Sequence, residues 1–234
     1  MVDVSLLTAI GQYILYLLVP ILTFYVIYLI ITRAFNDMGF SSLEAIIIVF
    51  ISALFGFVNI TIGGVSISNI YLFSVDNWML SINMGGAVIP ILLSIYLVIK
   101  HKLPLKKIAL GIVMVTAITF FVTTPDAERG IISHFPYWLL PIFAASIVSV
   151  FFSRKEYCTA APLAYICGTL GVLIGADFLH LPALLLYPLT EPRNAIIGGA
   201  NVFDMIFITG ILAVIVDGIL MYRQRKQASC TLET

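Results

Sequence analysis

Long apolar runs separated by short polar connections dominate this chain. A membrane-crossing helix needs roughly 20 apolar residues. By that measure the pattern predicts seven spans, at about 6–32, 42–60, 78–99, 106–124, 136–153, 158–180 and 195–221. Two stretches break the helical pattern. Ile60 to Phe73, ITIGGVSISNIYLF, alternates apolar and polar residues around Gly63-Gly64, which predicts a short β-hairpin. The run from Cys158 to Leu189 exceeds one span and contains Pro182 and Pro188. A kink or stop is expected near Pro182, followed by an interfacial segment.

Composition agrees with this pattern. The chain is 61% hydrophobic and 10% charged, with a mean hydropathy of +1.10. A soluble domain could not cover so much apolar surface, so the fold class expected is an all-α polytopic membrane protein, residues 1–234 forming one membrane domain. The formal net charge is zero, which implies no nucleic acid or other polyanionic partner, and no cofactor motif is visible. The absence of a basic run at the N-terminus argues against a cleaved signal peptide.

The placement of charge says more than its sum. Arg33, Lys100, Lys102, Lys106, Lys107, Arg154, Lys155, Arg223, Arg225 and Lys226 all fall on one side of a seven-span arrangement, and Arg129 and Arg193 on the other. The positive-inside rule then places the N-terminus outside and the C-terminus in the cytoplasm of a multi-pass protein of the cell membrane. Local signals add detail. Ser41-Ser42-Leu43-Glu44 reads as a capping box opening the second span. Tyr13, Trp78, Tyr137 and Trp138 suit interfacial anchoring, and Gly171 and Gly175 suit close helix packing. Cys158, Cys167 and Cys230 fit no metal spacing and read as free thiols, and Asp217 reads as a residue snorkelling toward Arg223 or solvent.

The candidate chemistry lies in two aspartates within apolar segments, Asp177 in LGVLIGADFLHL and Asp204 in IIGGANVFDMIFITG. A carboxylate in a bilayer costs several kcal/mol, which makes it a functional-site hypothesis. Asn59, Asn69, Asn83, His180 and Asn201 are expected at similar depth, with Gly85-Gly86, Gly175 and Gly198-Gly199 nearby, as cavity-lining or substrate-binding groups. The inner halves of the spans carry few such groups. Two carboxylates sharing a site cannot easily both ionise, which leaves one acid and one base able to activate water. A substrate peptide must be extended to be cut, and the Ile60–Phe73 hairpin would offer it a strand edge. Asp177 and Asp204 are therefore the expected catalytic pair of an intramembrane aspartyl protease acting on a transmembrane protein or peptide among membrane lipids. The alternative is a cation- or proton-coupled transporter or channel using the same aspartates, with Asn83 and Asn201, as ligands. A third reading sets Asp177 and His180, three residues apart on one helix, with Asp204 around a metal.

The segments INMGGAVIPILLSIYL, AYICGTLGVLIGADFLHL and IIGGANVFDMIFITGILAVI resemble a family of prokaryotic membrane proteins, the domain of unknown function 1614. That resemblance implies a multi-pass fold and no particular activity. Gly175-Ala176-Asp177, Phe203-Asp204 and Pro182-Ala183-Leu184 are also similar to motifs of the presenilin and signal peptide peptidase class. Here the order of the two aspartate motifs is reversed, Ala176 replaces a glycine, and Pro-Ala-Leu lies between the aspartates. The likeness is one of chemistry.

Overall fold

The computed structural model describes residues 4–154, 156–199 and 205–221. It is mostly helical, with three small sheets. Helices α1 (Val4–Asp37) and α2 (Ser42–Phe57) come first. Strands β1 (Thr61–Ile62), β2 (Val65–Ser66), β3 (Asn69–Val75) and β4 (Trp78–Asn83) follow. A wide π-type turn (Met84–Val88) leads into α3 (Ile89–Lys100), and α4 spans Leu105–Val122. Strands β5 (Thr124–Asp126) and β6 (Gly130–Ile132) form a hairpin before α5 (Leu140–Phe152). Helix α6 (Ala160–Val172) continues through a second π-type segment (Leu173–Phe178) into α7 (Leu179–Leu185). Strand β7 (Arg193–Ile197) precedes α8 (Met205–Leu220).

Three of the helical stretches, Leu15–Asp37, Leu105–Val122 and Tyr157–Leu185, are long and apolar enough to cross a membrane, and four more are apolar but shorter. Their hydroxyls explain how polar residues fit such helices. Thr32, Ser94, Thr119 and Thr123 each donate to the carbonyl four residues back. Helix α6 is the axis of the bundle, with almost every residue buried and α3, α4, α5 and α8 packed around it. Small residues allow this. A Cβ at Gly171 would lie 2.6 Å from Val115, and one at Gly175 would lie 2.6 Å from the Thr116 carbonyl.

The capping box of α2 forms as expected: Ser41 N–H donates to Glu44 Oε2 at 2.7 Å, and the Ser41 hydroxyl accepts from Glu44 N–H. The predicted hairpin also forms. Gly63 and Gly64 take φ of +59° and +83°, the left-handed conformations a two-residue turn between β1 and β2 requires.

Several boundaries differ from the sequence reading. Residues 78–83 and 195–197, assigned to spans, are strand. A buried apolar strand and a buried helix segment have the same composition, and only their partners separate them. The helix carrying Pro182 ends three residues beyond it, at Leu185, as a stop near the proline predicts, and the π-type turn before it has already broken the regular bonding ladder that proline would disrupt. Trp78 is buried rather than interfacial, and its ring N–H donates to the Tyr187 carbonyl at 3.1 Å. Asp217 does not snorkel: it is fully buried and accepts from the Ser149 hydroxyl at 2.6 Å. Cys167 is free and buried, but Cys158 is disulfide-bonded, a proximity that spacing along the chain does not reveal.

Among the described residues, the basic loop from Lys100 to Lys107 lies at one end of the bundle with the α1–α2 and α5–α6 connections. There Lys100 donates to the Gly39 carbonyl, His101 lies 3.0 Å from the Met38 carbonyl, and Lys107 pairs with Glu156. The sheets and Asp177 lie at the other end, where Arg193 bonds the Ala127 carbonyl and Asn77 bonds the Leu189 carbonyl.

Candidate functional site

The site is built on a three-stranded sheet ordered β3-β4-β7. Strands β3 and β4 are antiparallel, turning at Asp76-Asn77, whereas β4 and β7 are parallel, with Trp78 opposite Arg193 and Ile82 opposite Ile197. Gly-Gly-Ala follows each parallel strand in the sequence, at 85–87 and 198–200, with Ala200 outside the described residues. The two turns touch. A Cβ on Gly86 would collide with the Gly198 carbonyl, and one on Gly198 would lie 2.5 Å from the Ala87 Cβ. Gly85 is equally confined against the Ser52 carbonyl, while the Ser52 hydroxyl donates to the Gly85 carbonyl at 2.8 Å. Only glycine permits such backbone approach.

Side-chain acceptors hold both turns. Asn83 Oδ1 accepts from Gly86 N–H at 2.7 Å, and Asn83 Nδ2 donates to Asn69 Oδ1 at 2.8 Å. Asp177, on the π-type segment after α6, accepts from Gly198 N–H at 2.6 Å through Oδ2. Asn69, Asn83 and Gly86 form one hydrogen-bonded group and Asp177 and Gly198 another, and the two meet where Gly86 packs on Gly198.

Other expected members lie elsewhere. Asn59 braces the β1–β2 hairpin by accepting from the Ser66 hydroxyl at 2.6 Å. Gly175 packs on α4 rather than lining a cavity. His180 also turns to α4, its ring stacked 4.5 Å from that of Phe120 and its Nε2 3.1 Å from the Phe120 carbonyl. Asp177 and His180 straddle the end of the π-type segment, whose extra residue per turn rotates the helix faces out of α-helical phase. Among the described residues, no group of three or more His, Cys, Asp or Glu could hold a metal. Asn201 and Asp204 lie outside the described residues.

Asp177 is half-buried and borders two cavities. One, of about 280 Å³, lies between α6 and α8, lined by Thr123, Trp138, Val172, Asp177 and Ile206 among others. The second, of about 360 Å³, is a groove between β7 and the β5–β6 hairpin, lined by residues including Glu128, Arg129, Asp177, Arg193, Asn194 and Ile196. The edge of β7 that faces away from β4 carries no strand among the described residues. Arg193 N–H donates to the Asn77 carbonyl, on the β4 side. Strand alternation then directs the N–H groups of Asn194, Ile196 and Gly198 to the opposite side. Gly198's meets Asp177. The open edge of β7 thus runs along the groove and ends at the aspartate.

Sequence reasoning assigned a strand edge to residues 60–73. The edge beside Asp177 is β7 instead, because β3 and β4 pair with each other and β4 passes its second edge to β7. Arg129, Arg193 and Asn194 were also missed as groove residues. The signal available was that Arg129 and Arg193 are the two basic residues separated from the other ten.

Comparison with known proteins places these observations in a family. No curated protein and no solved structure matches the chain. A family model, a protein of unknown function (DUF1614), matches residues 59–216, which run from the β1–β2 hairpin through Asp177 into α8, and the chain belongs to that family.

Proposed function

We propose that this protein is an intramembrane aspartyl protease in which Asp177 and Asp204 activate water to hydrolyse a peptide bond. The observation that supports this most is the open edge of β7 ending at Asp177. An extended peptide added to that edge would bond Asn194 and Ile196 and arrive at the carboxylate already unwound from helix, the conformation cleavage requires. Gly198 N–H orients the Asp177 carboxyl at that point.

In this reading one carboxylate takes a proton from water while the other, protonated, donates to the scissile carbonyl oxygen. The resulting diol collapses as the amine leaves with a proton. The chain crosses the cell membrane seven times, with the basic loops cytoplasmic and the groove opening outward, and its substrate is a transmembrane protein or peptide reaching the groove from the lipid.

The test is cleavage of a membrane-anchored peptide by the purified protein in lipid, with Asp177→Asn, Asp204→Asn and Asn194→Pro alongside. Each aspartate variant should lose at least about 10³-fold, as expected when an acid or base is removed. Asn194→Pro deletes a groove-facing N–H and spares the bonds to β4, a change that edge strands tolerate, so it should raise KM while the sheet persists. Cleavage surviving in either aspartate variant would end the proposal.

A further inference from the structure

Helix α2 touches the π-type turn before α3, and the two helices then part. At the contact the Ser52 hydroxyl donates to the Gly85 carbonyl at 2.8 Å, and a Cβ on Gly85 would collide with the Ser52 carbonyl. Toward the basic end a gap of about 440 Å³ opens between the helices. Its walls are Ile47 and Ile48 of α2 and Ile89, Leu92, Leu93 and Tyr96 of α3. Ile89 to Tyr96 covers two turns, roughly 10 Å of helix. Ile47, Leu92 and Tyr96 are exposed, so the gap opens sideways, on the face that two apolar helices turn to the membrane.

Two opposite charges stand at its rim. Glu44 lines the gap itself. Lys100 Nζ lies 5.0 Å from the centre of the Phe40 ring and 5.4 Å from that of Tyr96, and both rings line the gap. Donation to the Gly39 carbonyl at 2.6 Å pins the ammonium there. The two charges are close enough to act on each other, yet among the described residues no ion pair joins them. Each keeps bonding capacity. An ammonium has three donors, of which Gly39 takes one. Glu44 bonds Ser41 through Oε2, which leaves Oε1.

An apolar space of this kind stays dry, and the apolar group that a membrane supplies is an acyl chain. The rim selects the headgroup, since it offers a cation and an anion that do not satisfy each other. We infer that the gap between α2 and α3 binds one aminophospholipid, with an acyl chain between the helices, its phosphate on Lys100 and its ammonium on Glu44. A choline headgroup has no N–H to give Glu44. A glycerol headgroup has no positive charge, and its phosphate would stand beside an unanswered carboxylate. The site is separate from Asp177 and does not depend on cleavage there.

The experiment uses the full chain, purified in detergent and stripped of lipid. It is equilibrated with equal amounts of dioleoyl phosphatidylethanolamine, phosphatidylcholine and phosphatidylglycerol, and bound lipid is counted by native mass spectrometry. Wild type should retain one phosphatidylethanolamine, in about 10-fold excess over either competitor, as a charge-assisted hydrogen bond made by the primary amine implies. Glu44→Gln, which keeps the capping box, should bind phosphatidylethanolamine and phosphatidylcholine equally. Lys100→Gln should lose all three lipids. Leu92→Trp and Ile47→Trp fill the gap from opposite walls and should also lose all three. Ile147→Trp, on the exposed face of α5, should bind like wild type. Both gap-filling variants should melt like wild type, because the replaced side chains are exposed, so lost lipid there is not lost fold. Equal retention of the three lipids by wild type, a preference for either competitor, or an adduct that survives both gap-filling variants would overturn the site.

Discussion

β4 and β7 lie side by side, run in the same direction and each lead into a Gly-Gly pair, Gly85-Gly86 and Gly198-Gly199. The first turn is held by Asn83, which belongs to the strand it caps, and the second by Asp177, which arrives from a different helix. Both side chains accept from one glycine N–H, at 2.7 and 2.6 Å. An amide does that work without charge, and it brings a donor that Asn83 spends on Asn69. A carboxylate does it at a much higher desolvation cost. The turn at Gly198 needs an acceptor, and a carboxylate oxygen supplies it. Under the proposed function that carboxylate serves the chemistry as well as holding the backbone. It stands where the β7 edge meets the groove, whereas Asn83 is enclosed.

The most forceful way to break the pairing of the two turns is to separate them. Gly86→Ala drives a methyl into the Gly198 carbonyl, a backbone atom that cannot step aside. We expect a loss of about 3 kcal/mol or failure to fold, at the upper end for overpacking, read as the melting temperature in detergent. Gly63→Ala is the control. Gly63 takes a left-handed conformation, which Gly86 does not, but nothing lies within 4 Å of the added methyl. Its cost should be the conformational one alone, about 1 kcal/mol.

The next effect separates the two acceptors. Asn83→Ala leaves both Gly86 N–H and Asn69 Oδ1 without their partner in a buried setting, and should cost about 1–3 kcal/mol. Asp177→Asn keeps an oxygen for Gly198 N–H and should change stability by less than about 1 kcal/mol while abolishing cleavage. Equal destabilisation by the two would mean that Asp177 is a structural cap with a charge, and the contrast drawn above would fail.

How much of this was legible in the chain follows from the range of the interactions. The α2 capping box and the Gly63-Gly64 hairpin depend on residues three or four apart, and both were readable. Asp177 stood out because a lone carboxylate in an apolar run is conspicuous whatever its fold. The parallel pairing of β4 with β7 was not readable, since it joins residues more than a hundred apart whose composition also suits a membrane helix. The recurrence of Gly-Gly-Ala was visible, yet three residues could not reveal that the two copies touch. Asp217 was misread because its partner Ser149 is 68 residues away.

The smallest predicted effect contrasts the Asp177 end with the basic end, where charge is managed by ordinary means. His101 is half-buried beside Lys100, and its Nε2 lies 3.0 Å from the Met38 carbonyl. A carbonyl only accepts, so Nε2 carries the hydrogen. Burial, and secondarily the Lys100 charge, pushes the His101 pKa below its usual value near 6.5, although the Met38 carbonyl opposes this. The unfolded chain therefore takes up its proton first as pH falls. Stability from this group is complete well above pH 6.5 and is lost as pH drops through that value toward the lower folded pKa. The melting temperature should fall slightly between pH 7.5 and about pH 5.5, and His101→Gln, which keeps a donor for Met38 without a titrating ring, should remove that part of the slope. Asp177→Asn should leave the same slope unchanged, because the two groups sit at opposite ends of the bundle. A slope that followed Asp177 instead would tie acid sensitivity to the site, and would make the aspartate rather than the histidine the group that titrates in this range.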